Sequence, residues 1–150
     1  MKKLIFLFLI GLCASFLAAQ TEEKTEFEKT LQKHLQAIND KNFNEFKSTI
    51  TEKNEINLIL PNGIHFSTRS QFLNFTKAWF QENTWEMKYT ILSLKETSEM
   101  GFVLLMVNYS DIDENKNPYS IVYYLNLIFE KQNGKWKLVH DQNTMCYDKK

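Results

Sequence analysis

Apolar residues recur at helical spacing soon after the start of the polar part of the chain. Phe27, Leu31, Leu35 and Ile38 are three or four positions apart, while Glu, Lys and Gln fill the positions between them. This spacing places the four apolar side chains on one face of an amphipathic helix. The polar run at 39–42 interrupts the pattern, so the helix is predicted to end there.

A short second helix and a β-hairpin are predicted next. Phe43, Phe46 and Ile50 repeat the helical spacing. The segment EINLILPNGIHF then has two apolar runs on either side of Pro61-Asn62-Gly63. Proline, asparagine and glycine together are typical of a turn, so this segment predicts a strand, a turn and a short returning strand.

A third helix is predicted from the signal at its N-terminus. Thr68 and Gln71 can form a capping box, in which each side chain satisfies an unpaired backbone donor. Four aromatic residues then lie along one stripe: Phe72, Phe75, Trp79 and Phe80. Such a stripe is more typical of core packing than of a binding surface, although Trp79 is also a candidate for the wall of a pocket.

From Trp85 onward the period of the apolar pattern changes to two, which predicts strands. Apolar residues alternate as far as Ile91, and the phase then slips by one so that Leu92 continues the apolar side. One slipped residue indicates a β-bulge, which bends a strand.

Two long strands follow, and both are apolar on both faces. They lie in GFVLLMVNYS and NPYSIVYYLNLIFEK. One face of such an antiparallel sheet covers the core, and the other needs a second cover. We therefore expect a homodimer formed through the outer face of the sheet.

The last hairpin is predicted from Asn133-Gly134, because both residues tolerate the positive φ of a type I′ turn. This turn places Glu130 opposite Lys137, an opposite-charge pair that supports the register. If the register continues without a bulge, one face of the hairpin carries the candidate pocket residues Tyr124, Asn126, Val139, Asp141 and Asn143. A bulge or a longer turn would shift these partners by one position.

Asp141 is the candidate catalytic residue. Between apolar strand residues, a carboxylate can have its pKa raised by desolvation and serve as a general base or acid. Alternatively, Asp141 lies near the end of the sheet, is solvated and only accepts a hydrogen bond from Asn126. The sequence leaves both interpretations open.

The first 19 residues have the three parts of a signal peptide, namely two lysines, an apolar run and small residues at the end. We expect cleavage after Ala19 and a secreted or periplasmic protein. A membrane anchor is the alternative, but the apolar run is shorter than the ~20 residues that a spanning helix needs. Residues 20–150 are then expected to form a single domain.

The mature chain would be nearly neutral and would contain a single cysteine, Cys146. Without a clustered basic surface, we expect no nucleic acid partner and no membrane partner after removal of the signal peptide. The segment from Asp111 imitates a calcium loop, but Lys116 and Val122 stand where the loop needs a glycine and a bidentate acid. The histidines show no metal-ligand spacing, so neither a metal nor a cofactor is expected.

The complete order of elements resembles the nuclear transport factor 2-like superfamily, in its SnoaL-like and ketosteroid-isomerase-like branch. The resemblance covers about residues 27–144. Its most specific part is the ending NGKWKLVHDQNT, and it is supported by LQAINDKNFNEF and LPNG. It implies an α+β fold, in which a cone-shaped, curved antiparallel sheet is wrapped around about three N-terminal helices in a cystatin-like α+β barrel. It also implies a pocket at the wide end and, often, dimers through the outer sheet face.

By the same resemblance, Val139, Asp141 and Asn143 face inward, while Trp136 and Leu138 face the other side. Some relatives have a second histidine where this chain has Gln142, and the full set of acid and base partners of the isomerases and cyclases is missing.

Three functions remain open. The first is binding of a small, largely apolar ligand. The second is an isomerase, dehydratase or cyclase that uses Asp141 as its base. The third is a dimeric interaction module without a working pocket.

Overall fold

The computed structural model describes residues 23–146, so the predicted signal peptide at 1–19 lies outside the described residues. The described residues form three helices: α1 (Glu26–Asn39), α2 (Phe43–Thr49) and α3 (Arg69–Trp79). They also form six strands: β1 (Glu55–Ile59), β2 (His65–Thr68), β3 (Glu86–Glu96), β4 (Met100–Ile112), β5 (Pro118–Gln132) and β6 (Lys135–Met145). Within this range no helix is long and apolar enough to cross a membrane.

The strands form one curved sheet in the order β2-β1-β6-β5-β4-β3, with the helices packed on its concave side. This confirms the predicted cone-shaped α+β fold. The predicted antiparallel barrel differs in two details: the described sheet is not closed, with β2 and β3 at its edges, and β1 and β6 pair in parallel, with Leu58 beside Asp141. Local turn signals predict only consecutive, antiparallel neighbours, whereas β1 and β6 become neighbours although α3 and four strands separate them along the chain.

The predicted helix starts are confirmed, with one difference in detail. The Thr68 side chain caps α3 by accepting a hydrogen bond from the Gln71 backbone N–H at 3.4 Å. In a capping box the Gln71 side chain would accept from the Thr68 backbone N–H. It accepts instead from the Ser67 backbone N–H, at 3.3 Å. A complete capping box instead starts α1, between Thr25 and Glu28. Each cap satisfies backbone donors that the first turn of a helix leaves unpaired.

Aromatic side chains fill the end of the cone near the β5–β6 turn. The Phe27 ring lies 5.5 Å from Phe129 and 5.3 Å from Trp136, measured between ring centroids. It also lies directly over Gly101, where an added Cβ would come within 2.6 Å of the ring. A glycine in β4 is therefore what lets α1 pack so closely on the sheet.

One buried histidine belongs to this filled end. The Thr49 hydroxyl donates to the Phe46 carbonyl, so it accepts from His34 Nδ1, 2.8 Å away. His34 Nε2 is buried and has no hydrogen-bond partner among the described residues. Burial lowers the pKa of His34 to about 3, so the imidazole is neutral and serves as part of the core.

A β-bulge interrupts the regular pairing in β3, and another does so in β6. In β3, Ile91 pairs with Leu105 and Ser93 with Leu104, which confirms the slip predicted at Leu92. In β6 the extra residue is Val139: Phe129 pairs with Leu138, but Ile128 pairs with His140.

The bulge at Val139 corrects the predicted register of the last hairpin. The pair of Glu130 and Lys137 is confirmed, but Asp141 lies opposite Leu127 and Asn143 opposite Leu125. The expectation that Trp136 and Leu138 face away from the interior was also wrong, since both are buried in the core. Because the bulge reverses the alternation, the inward positions change from even to odd numbers along β6, and Asp141 and Asn143 face inward after it.

Candidate functional site

The other end of the cone is open and holds a cavity of about 350 Å³. This volume is within the range of small-molecule sites. The wall is mostly apolar and draws on all three helices and on every strand except β2: Ile38, Phe46, Leu58, Leu60, Pro61, Asn62, Phe72, Phe75, Thr76, Trp79, Met87, Tyr109, Tyr119, Ile121, Tyr123, Leu125, Asp141 and Asn143.

Three of the six predicted pocket residues line this cavity, namely Trp79, Asp141 and Asn143. Tyr124 does not, because it lies on the outer face of the sheet with 42% of its surface exposed. Asn126 and Val139 are half-buried and are also absent from the wall. The even-numbered residues in this part of β5 face outward, and the bulge in β6 pairs Asp141 and Asn143 with Leu127 and Leu125 instead of Asn126 and Tyr124.

The sequence analysis missed Tyr123, which takes the place expected for Tyr124. Tyr123 is 5% exposed and lines the cavity. The alternation along β5 carried the necessary signal, because the odd positions from 121 to 129 are all apolar or aromatic while Asn126 and Glu130 lie among the even ones. A buried face tolerates asparagine and glutamate poorly, so the odd positions face the interior.

Asp141 is the one acidic side chain in the cavity wall, and it is 8% exposed. Desolvation by burial raises the pKa of its carboxyl to about 7, and the hydrogen bond from Asn143 opposes this shift. Among the described residues, Asp141 Oδ1 accepts that bond at 2.9 Å and Oδ2 has no partner. Asp141 can therefore exchange a proton near neutral pH.

Asn143 holds Asp141 in place. Its Nδ2 donates both to Asp141 Oδ1 at 2.9 Å and to the backbone carbonyl of Ile59 at 2.8 Å. Both partners are acceptors, so the orientation of the Asn143 amide is fixed by its surroundings. The parallel pairing of β1 with β6 is what brings Ile59 within reach.

Aromatic rings form the rim of the cavity. Trp79 stacks on Trp85 with ring centroids 4.2 Å apart, and the Trp85 indole N–H donates to the Trp79 carbonyl at 3.1 Å. Lys41 Nζ lies 4.2 Å from the centroid of the Trp85 ring. The Tyr109 ring lies 6.2 Å from the Trp85 ring, measured between centroids, and the Tyr109 hydroxyl donates to Asp111 at 2.8 Å. Flat apolar surfaces of this kind suit a planar or hydrophobic ligand.

The side chains in residues 23–146 form no cluster that could hold a metal ion. In the calcium-like segment, Asp113 Oδ1 accepts from the backbone N–H groups of Asn115 and Asn117. The acid thus closes its own hairpin loop.

Comparison with known structures places this cone among cystatin-like α+β folds. A ketosteroid isomerase-like protein from Erwinia carotovora atroseptica superposes with a TM-score of 0.69 at 16% identity, over 85% of this chain and 98% of that one. A nuclear transport factor 2-like superfamily protein from Salmonella enterica serovar Typhimurium gives 0.68 at 14% identity, over 83% and 92%. A cystatin-like protein from Caulobacter vibrioides gives 0.67 at 14% identity, over 82% and 89%.

The fold is therefore that of a cone-shaped α+β domain, similar to the nuclear transport factor 2-like and ketosteroid isomerase-like proteins. Residues 28–148 match the SnoaL-like domain family, and the chain belongs to that family. No curated protein sequence matches the chain. At these identities the structural neighbours establish the fold and leave the function to be argued from the site.

The pKa of Asp141 predicts how stability depends on pH. The carboxyl has a higher pKa in the folded protein than in the unfolded chain, so folding is most favourable below about pH 4 and is weakened as the pH rises through about 7. The loss amounts to at most about 4 kcal/mol, as a shift from 3.8 to about 7 implies. Asp141→Asn removes this contribution. Urea unfolding between about pH 4 and about pH 8 should show the wild type losing stability relative to Asp141→Asn. Parallel curves for the two proteins would contradict the buried, raised carboxyl.

Proposed function

We propose that this domain binds a small, largely apolar molecule in the cavity at the open end of the cone. The observation that carries the proposal is the combination of apolar walls with two polar side chains, Asp141 and Asn143, at one place on the inner surface. Binding sites for small molecules typically have this composition, with a few polar groups that fix the orientation of the ligand. The aromatic side chains at the opposite end fill the cone there and leave this end open.

A cavity-filling substitution tests the proposal. Ile121 lines the cavity, whereas the adjacent Ser120 is exposed. Wild-type protein should gain several degrees in melting temperature with at least one member of a broad library of hydrophobic small molecules, because a ligand that binds only the folded state stabilises it. Ile121→Trp should abolish this gain and Ser120→Trp should preserve it. A library that stabilises none of the proteins would contradict the proposal, as would a gain retained in Ile121→Trp.

The second candidate function is catalysis of proton transfer, as in an isomerase, dehydratase or cyclase. Asp141 favours it, because a general base works best when its pKa lies near the operating pH. Its unpaired Oδ2 could remove a proton next to a ligand carbonyl and later return it.

Hydrogen exchange tests this second candidate. In heavy water, wild-type protein should accelerate the replacement of the methyl hydrogens of acetonaphthone by deuterium, and Asp141→Asn should reduce the rate to that of buffer. Mass spectrometry measures the exchange. Equal rates with wild type, variant and buffer would count against Asp141 as a base for ketones.

We also propose a homodimer formed through the outer apolar patch, defined as Phe102, Leu104, Met106, Val122, Tyr124 and Ile128. Met106 pairs with Tyr124 across β4 and β5, and the two are 39% and 42% exposed. The helices pack on the other side of the sheet, so this patch lacks a cover within the described part of the chain. A second copy supplies an equally apolar sheet face by symmetry.

Sedimentation at micromolar concentration tests the dimer. Wild type should sediment as a dimer and Met106→Glu as a monomer, because the glutamate would be buried without a partner. Asn44→Glu, which alters an exposed position on α2, should remain dimeric. A monomeric wild type would contradict the proposal.

Export remains a proposal that is based on the sequence of residues 1–19. Protein secreted or recovered from the periplasm should begin at Gln20 by mass spectrometry. An intact N-terminus would contradict cleavage.

A further inference from the structure

Apart from the exposed Asn62, whose amide can donate, the polar side chains of the cavity wall offer mainly hydrogen-bond acceptors. Asn143 uses both hydrogens of its amide, one on Ile59 O and one on Asp141 Oδ1. Its Oδ1 has no partner among the described residues and can only accept. The Thr76 hydroxyl donates to the Phe72 carbonyl, so it too is left as an acceptor.

Two further oxygens face the same space. Asp141 Oδ2 and the Tyr123 hydroxyl have no hydrogen-bond partner within residues 23–146, yet neither is among the fully enclosed unpaired atoms. Both residues are more than nine-tenths buried and line the cavity, so the surface that these atoms retain opens into it. The Tyr123 hydroxyl can accept as well as donate.

Nothing cationic faces these oxygens. The cavity wall contains neither lysine, arginine nor histidine. The helices contribute apolar side chains and Thr76, β1 contributes Leu58 and Leu60, and β3 contributes Met87. Besides Asp141, the titratable side chains of the wall are tyrosines of β4 and β5, namely Tyr109, Tyr119 and Tyr123. Burying a carboxylate without a positively charged partner costs free energy, because the charge loses its hydration. That cost falls when a bound ligand supplies a positive charge beside the carboxylate.

We infer that the ligand of this cavity is a hydrophobic amine, whose ammonium group donates to Asp141 Oδ2 and Asn143 Oδ1 while its apolar part packs on the aromatic wall. This inference rests on the proposed function and specifies its ligand class. An ammonium group carries only donors, which matches a site of free acceptors. The aromatic rings add favourable cation–π contacts. An anion would meet Asp141 without any compensating cation.

Four naphthalene probes of similar shape test the ligand class by titration calorimetry on the full mature chain: naphthylmethylamine, naphthylmethanol, acetonaphthone and naphthoate. At about pH 8.5 the amine should bind at least about tenfold more tightly than the alcohol, because hydrogen bonds to charged groups are stronger than neutral ones. The ketone should bind no better than the alcohol, and naphthoate should bind most weakly of the four.

The pH dependence separates an amine from a carbonyl ligand. The amine stays protonated over the range tested, and its binding to Asp141 expels the carboxyl proton at low pH. With a carboxyl pKa of about 7, amine affinity should therefore rise about thirtyfold between about pH 5.5 and about pH 8.5. A ketone that accepts from the protonated carboxyl should show the opposite trend.

Two variants complete the test. In Asp141→Asn, the amine should no longer bind more tightly than the alcohol, and its affinity should no longer depend on pH. The control is Glu114→Gln, which neutralises an exposed acid in the β4–β5 loop. This variant should keep both the tighter binding of the amine and its pH dependence. Tighter binding of the ketone or alcohol, with affinity falling as the pH rises, would overturn the amine while preserving a ligand-binding cavity. Failure of all four probes would overturn the amine, and failure of the broader library as well would overturn the cavity function.

Discussion

The extra residue at Val139 decides which side chains of the last strand face the interior. Before it, Trp136 and Leu138 face inward and complete the core; after it, Asp141 and Asn143 do so. Without the bulge, the even positions would continue inward, and His140 and Gln142 would occupy the cavity wall. A bulge is the means by which one strand can serve an apolar core at one end and a polar site at the other.

The parallel pairing of β1 with β6 completes this arrangement. It places the Ile59 carbonyl beside Asn143, whose amide then holds Asp141 Oδ1 and leaves Oδ2 toward the cavity. Both amide hydrogens of Asn143 are used in positioning, so the carboxyl has a fixed orientation but only one neutral hydrogen bond to offset its burial. That imbalance is why its pKa is raised.

Aromatic residues divide the cone into two functional halves. At the filled end, Phe27 packs on Phe129 and Trp136, neutral His34 packs on Phe129, and Gly101 allows the close approach of α1. At the open end, Phe75 and Trp79 of α3 remain half-buried in the cavity wall, whereas Phe72 from the same stripe is almost completely buried. Helical periodicity identifies the shared face of such residues, and their depth depends on how the sheet curves beneath them.

The fold and part of the candidate site could be predicted from the sequence. The physical reason differs from one element to the next. Repeating apolar positions and turn residues predict all three helices, the Asn133-Gly134 hairpin and the slip at Leu92, because these are local effects. The bulge at Val139 leaves no local mark, since valine fits a regular strand equally well. The inward orientation of Asp141 and Asn143 was predicted from the family resemblance, whereas their partners on β5 were predicted from an uninterrupted register that the structure contradicts, and this register selected Tyr124 in place of Tyr123.

Asp141 is buried in the cavity wall, with one carboxyl oxygen left without a protein partner among the described residues. Carbon-13 NMR of the aspartate side-chain carboxyl carbons, with the Asp141 signal assigned by its loss in Asp141→Asn, measures this directly as a function of pH. The structure predicts a titration midpoint of about 7 for the free protein. A midpoint near the ordinary ~4 of aspartate would show that Asp141 is solvated, and would contradict the burial of its carboxyl in the cavity wall.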